Sequence, residues 1–285
     1  MTEFLRIDRQ GSVTTVWIDR QAKMNALTVA MRETFPGIFR DADSDEAVRV
    51  VVIRGAGGKA FSAGGDVAEF LSLAPADLER WGDTLSWPER CRKPVVAAID
   101  GYAMGAGLEL ALACDFRIAT TRSEFAFPEI RLGMIPGSGG TQRALRLIGM
   151  TRAKLFMMTG QRIAATVAEQ WGLITRAVLP DAFEEALTVL TTQLAEQAPL
   201  ALRTLKTVLN RGAEAPLETA LELERKAYAW LRSTRDYEEG VKAFIQGIQH
   251  VAAKDFPNAL DNIAKTWQVA ASNIQDVIES IFGKE

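Results

Sequence analysis

The chain has 285 residues, 48% of them hydrophobic and 24% charged, enough to bury a sizeable core in one large domain or two small ones. Its 33 basic and 36 acidic residues leave a net charge of −3, which excludes the electrostatic footprint of a nucleic-acid or anionic-membrane binder. Two separated cysteines, Cys91 and Cys114, and a single histidine, His250, exclude Cys/His zinc clusters, and no nucleophile motif lies near His250 to make it the base of a Ser-His-Asp or Cys-His site.

The first ten residues carry scattered charges and lack the apolar stretch and cleavage site of a secretory signal, so a cytoplasmic protein is expected. Val13 to Ile18 partly alternates and predicts a strand, and Leu27 to Arg40 has helical spacing. Val48 to Ile53 is a nearly continuous apolar run, the signature of a parallel-sheet strand buried on both faces. A second helical stretch, Leu78 to Cys91, precedes a second such run, Val95 to Ile99. Pro94 to Cys114 is long and apolar, but Asp100, Glu109 and three glycines interrupt it, which predicts a buried strand followed by a buried helix rather than a membrane span.

Phe116 to Ala119 and Ala177 to Leu179 add short strands. Past Pro180 only helical spacing remains, at Phe183 to Leu194, Ala201 to Val208, Leu217 to Leu231 and Tyr237 to Ile248. Strand, helix, strand repeats with right-handed crossovers define an α/β core followed by a helical end. At the C-terminus Phe256, Leu260, Ile263, Trp267, Ala270, Ile274, Val277 and Ile281 alternate spacings of four and three, a heptad seam on one long helix.

Three glycine-rich segments punctuate this pattern: Phe61 to Asp66, Gly101 to Glu109, and Pro136 to Thr141. Glycine there lets the backbone approach a ligand closely, and Gly105 to Gly107 open a helix whose first N–H groups have no internal partners. Such a helix start favours developing negative charge. Each segment alone is also compatible with an ordinary tight turn. No phosphate loop is present, since Gly55 to Lys59 lacks the glycine spacing and the segment from Gly137 has no lysine.

In this order the three segments resemble the crotonase (enoyl-CoA hydratase/isomerase) superfamily, from about Leu5 to about Ile248. Lys23 to Leu27, Lys93 to Val95, Gly160 with Ile163 and Ala164, and Glu239, Gly240, Ala243 and Phe244 add matches in the same order. The resemblance implies an α/β spiral of strand and helix repeats of the ClpP/crotonase type, with a helical C-terminal region that forms a trimer or a dimer of trimers. It further implies an acyl-CoA thioester as substrate, coenzyme A being part of the substrate and no separate cofactor being needed.

Carried over residue by residue, the resemblance places the oxyanion-binding N–H groups at Gly65 and Ala106, where many relatives have glycine at the second position. It assigns catalytic glutamates to Glu109 and Glu129, and coenzyme A contacts to Lys23, Ala26, Ala63, Asp66 and Val67. The resemblance also implies that the N–H of Gly137 faces the same region, where it would help to fix a water. Asp66 is equally suited to capping the helix that follows it. The segment Phe70 to Trp87 lines the acyl pocket in relatives and otherwise reads as core packing.

The flanks of the two glutamates are almost free of charge, and burial of neighbouring carboxyls pushes their pKa values apart, leaving one protonated and one ionised near neutrality. The expected activity is hydration of a 2-enoyl-CoA, with double-bond isomerisation or thioester hydrolysis on the same scaffold as alternatives and a non-enzymatic acyl-CoA-binding assembly protein as the remaining one. The expected organisation is a spiral core over 1–195, a helical region over 196–249 and an amphipathic tail over 250–285. The tail replaces the basic C-terminal residues with which relatives contact coenzyme A.

Overall fold

The computed structural model describes residues 3–254, with the side chains at 80, 81 and beyond 245 left aside. The heptad seam from Phe256 to Ile281 therefore lies outside the described residues, as do the side chains of Trp81 and His250.

The chain opens with a hairpin, β1 (Leu5–Gln10) and β2 (Val13–Ile18), and α1 (Val29–Ser44) follows. Three turns of a spiral come next, each placing one long strand in a large sheet and one short strand in a small sheet. They are β3 (Val50–Gly55) with β4 (Ala60–Ser62), β5 (Val95–Ile99) with β6 (Tyr102–Met104), and β7 (Phe116–Thr120) with β8 (Glu124–Ala126).

Between the turns lie α2 (Val67–Phe70), α3 (Pro75–Gly82) and α4 (Trp87–Arg90), then α5 (Ala106–Leu112). The spiral closes with α6 (Gly140–Thr159), β9 (Ile163–Ala164), α7 (Ala165–Gln170) and β10 (Arg176–Val178). The large sheet runs β1-β2-β3-β5-β7-β10 and is parallel from β2 onward; the small sheet runs β4-β6-β8-β9, with only β9 antiparallel.

The continuous apolar runs are buried on both faces. Val51, Ile53, Val95, Ala97 and Ile99 join the main core with Phe35, Phe39, Phe61 and Leu108. Val50, Val52, Val96 and Ala98 point the other way, toward Phe183 and Leu187 of α8 (Phe183–Glu196). Alternation along one strand thus serves two clusters.

The helix expected over Leu78 to Cys91 is broken into α3, a 3₁₀ turn at Asp83–Ser86 and α4. Pro88, at the start of α4, has no N–H to continue a preceding helix. Beyond α8, α9 (Pro199–Gly212) is tied to the body by Lys206, whose Nζ donates to Asp115 Oδ2 at 2.7 Å and to the carbonyls of Pro88 and Lys93.

The remaining described chain is helical, α10 (Leu217–Leu231) and α11 (Arg235–Lys254), with exposed i,i+4 pairs Glu222–Lys226, Arg235–Glu239 and Glu238–Lys242. No helix among the described residues is long and apolar enough to cross a membrane.

Thr28 caps α1, its Oγ1 accepting the Met31 N–H at 3.2 Å. Thr28→Ala is expected to lower stability by about 1 kcal/mol, read as a shift of the urea midpoint without a change of slope.

Candidate active site

The loop before α1 positions the first donor. Buried Asn25 anchors it, donating to the carbonyls of Ala56 (2.9 Å) and Ala60 (2.7 Å) and accepting the Arg20 N–H at 2.9 Å. Leu27 then pairs with the glycine loop, its N–H donating to the Gly64 carbonyl at 2.7 Å and its carbonyl accepting the Asp66 N–H at 2.9 Å. This one parallel bridge uses the residues on either side of Gly65 and turns the Gly65 N–H away from Leu27. Among the described residues that N–H has no acceptor.

The second donor comes from α5. Ala106 is its first residue, so its N–H has no carbonyl one turn back to bind. Gly105 precedes it with φ +48°, and a Cβ there would fall 2.8 Å from Glu129 Oε1. Glycine at 105 therefore permits both the turn and the close approach of the Glu129 carboxyl. Ala106 N also lies 3.7 Å from where a Cβ on Gly64 would stand, which brings the two donor loops side by side.

Glu109, one turn into α5, is only 2% exposed. Its Oε1 accepts the N–H groups of Ser138 (2.6 Å) and Gly140 (2.9 Å), at the turn that opens α6. A side chain at 140 would meet Phe127 and Glu109 within about 3.0 Å, so this approach requires glycine. Burial raises the Glu109 pKa, opposed by these two donors and by the charges of Arg32 and Arg143.

Glu129 sits in the 3₁₀ turn Pro128–Leu132, held from behind as the Met134 N–H donates to its carbonyl at 3.0 Å. Its Oε2 is enclosed without a hydrogen-bond partner. Desolvation, with the charge of Glu109 added, pushes its carboxyl up to about 7. The two acids are thus close enough to feel one another, and the more heavily hydrogen-bonded one is better suited to carry the charge.

Ala63, Gly65, Val67, Ala106, Glu109, Glu129 and Gly137 all line one cavity of about 130 Å³. Lys23, Ala26 and Asp66 do not. Lys23 is exposed at the end of a 3₁₀ turn, while Asp66 caps α2 through the Ala68 N–H and pairs with Arg20 at 2.7 Å, so its carboxylate is engaged within the protein. Of the segment from Phe70 to Trp87, Phe70 and Leu78 reach the cavity; Leu71 is 91% exposed, and Trp87 packs on the core.

Three contributors were not singled out by the sequence analysis. Ser138 and Gly140 act through backbone N–H groups, and their place in the glycine-rich segment Pro136 to Thr141 was the available sign. Arg32 also lines the cavity, at 5% exposure. It stands at i, i+3, i+7 spacing with the core residues Phe35 and Phe39, so a charge on the apolar face of α1 was the available sign.

Such a site, with two main-chain donors that have no acceptor among the described residues beside two acids whose pKa values burial raises, can stabilise a thioester enolate while moving protons. A sequence profile described as enoyl-CoA hydratase/isomerase matches residues 8–250. The chain is 34% identical over 244 residues to a short-chain-enoyl-CoA hydratase of Clostridium acetobutylicum, covering 84% of this chain and 94% of that one. It is 43% identical over 258 residues to an enoyl-CoA isomerase/hydratase of Mycosarcoma maydis, covering 85% and 94%. The 1.8 Å crystal structure of an enoyl-CoA hydratase from Bacillus anthracis superposes with a TM-score of 0.82 at 35% identity, over 86% of this chain and 97% of that one. The chain belongs to the enoyl-CoA hydratase/isomerase family of the crotonase superfamily, with its α/β spiral fold and its activity on acyl-CoA thioesters.

Proposed function

We propose that the protein is an enoyl-CoA hydratase that adds water across the 2,3 double bond of a 2-enoyl-CoA to give the 3-hydroxyacyl-CoA. The observation that carries this reading is the convergence of Glu109, Glu129 and the backbone of Gly65 and Ala106 on one cavity. The thioester oxygen accepts both N–H groups and gathers negative charge as C2 becomes enolate-like. Glu109, ionised, takes a proton from the water whose oxygen bonds to C3. Glu129, protonated, gives its proton to C2. The proton left on Glu109 then returns to Glu129, directly or through solvent, and the pair is restored.

Moving a double bond needs one group that takes and returns a single proton, whereas hydration must also activate a water, and a second acid on the cavity wall favours hydration. Residues 23–26 and 63–67 belong, in this proposal, to the coenzyme A side, through main-chain atoms more than through Asp66. Loss of the conjugated enoyl absorbance of crotonyl-CoA on adding the protein tests the proposal; no loss with any chain length removes it.

Because Glu129 acts as the acid, kcat is expected to fall as pH rises through about 7, where that carboxyl loses its proton. The apparent value belongs to the coupled pair, and a kcat that rises through this range contradicts the assigned role.

We also propose that residues 1–195 form the core and residues 196–249 act as the association region, in a homotrimer or a dimer of trimers. Leu209, Tyr228 and Trp230 within that region are exposed apolar side chains that such an assembly would cover. Light scattering is expected to return three or six times the chain mass; the mass of a single chain counts against it.

A further inference from the structure

One charge in the cavity takes no part in the proposed reaction. Arg32, on α1, lines the cavity together with the apolar Val67, Phe70 and Leu78 and with Glu109, Glu129 and Ser138. Its Nε is enclosed without a hydrogen-bond partner, and its guanidinium has no acceptor among the described residues. Native interiors rarely leave such a buried donor unpaired, even where a nearby charge, here Glu109, offsets part of the cost of burying the cation. Burial pulls its pKa down and the charge of Glu109 pulls it up, yet a guanidinium keeps its proton. A mere counter-ion for Glu109 would be hydrogen-bonded to it, but Glu109 Oε1 is occupied by the Ser138 and Gly140 N–H groups and Arg32 donates to neither carboxylate oxygen.

The geometry points to a substrate whose acyl chain carries its own carboxylate, received by Arg32. A carboxylate supplies two acceptors that match the planar fork of a guanidinium, which a hydrocarbon chain cannot do. This assignment rests on the cavity being the acyl site. It makes Arg32 a specificity determinant and the substrate class the coenzyme A thioesters of dicarboxylic acids.

Saturated thioesters test it without requiring hydration. Calorimetric titration of the full chain with glutaryl-CoA against pentanoyl-CoA, and adipyl-CoA against hexanoyl-CoA, is expected to show the acidic member of at least one pair binding about 10²-fold more tightly. In Arg32→Met, which keeps an unbranched apolar stem, that preference is expected to vanish while alkanoyl-CoA binding is kept or improved. Equal binding within both pairs by the unaltered protein overturns the assignment with no variant needed. Equal weakening of both members by Arg32→Met also overturns it, because Arg32 then serves only Glu109 or the fold. Failure of every thioester to bind sinks this inference and the hydratase reading together, whereas a clear preference without turnover of any enoyl-CoA sinks the hydratase reading alone.

Discussion

Glu109→Gln is expected to lower the turnover of crotonyl-CoA by about 10² to 10⁴, with Glu129→Gln producing a loss of the same order. Glutamine keeps the shape of the side chain, and at 109 its amide oxygen can still accept the N–H groups of Ser138 and Gly140 that now bind Glu109 Oε1. The turn into α6 should therefore hold, and binding of a saturated acyl-CoA should change little. What disappears is the capacity to accept a proton from water. At 129 the amide can donate a hydrogen bond but cannot surrender a proton to C2.

The two substitutions are distinguishable beyond their shared loss of rate. Part of the reason the Glu129 carboxyl stands near 7 is the negative charge on Glu109. Removing that charge in Glu109→Gln lets Glu129 ionise more easily, so the basic limb of the residual pH profile is expected at lower pH than in the unaltered enzyme. Full turnover in both variants would refute the roles given to these acids.

Ala106→Pro is the second large effect, expected to cost about 10² to 10³ in kcat with the fold retained. Ala106 is the first residue of α5, where proline's fixed φ suits a helix and its missing N–H breaks no helical bond. The substitution deletes the one donor that, in the proposed mechanism, meets the thioester oxygen beside Gly65. An interaction made mainly with the transition state lowers kcat and kcat/KM together. Steady-state kinetics beside circular dichroism decide the matter: unchanged kcat in a folded variant would mean that the Ala106 N–H faces no developing charge.

A further expectation joins the two. If the donors and the acids act on one bound thioester, Ala106→Pro combined with Glu109→Gln should lose less than the product of the single losses, because groups serving a single transition state are strongly non-additive.

Much of this molecule was legible from its residues. The runs at Val48 to Ile53 and Val95 to Ile99 announce strands buried on both faces, since each side of the large sheet meets its own apolar cluster. The amphipathic spacing of α1, α8 and α9 is equally local, and so is the helix that begins after Gly105. The family resemblance carried by the ordered glycine segments pointed to Gly65, Ala106, Glu109, Glu129 and Gly137, all of which line one cavity.

Other features exist only through tertiary contact. The strands β4, β6 and β8 have three residues each, too short for any periodicity, and owe their existence to pairing with one another. Whether Asp66 capped a helix or met a ligand was open in sequence, and Arg20, 46 positions away, engages it. Arg32 stands out in sequence only as a charge on the apolar face of α1, and its burial in a cavity shared with the glycine loop and α5 appears with the fold. Backbone periodicity and capping are written within a few neighbouring residues, so sequence determined the longer strands and helices. The desolvation of Arg32, the raised carboxyl of Glu129 and the pairing of two main-chain donors depend on segments tens of residues apart being brought within a few ångströms, and only the spiral of the chain decided that.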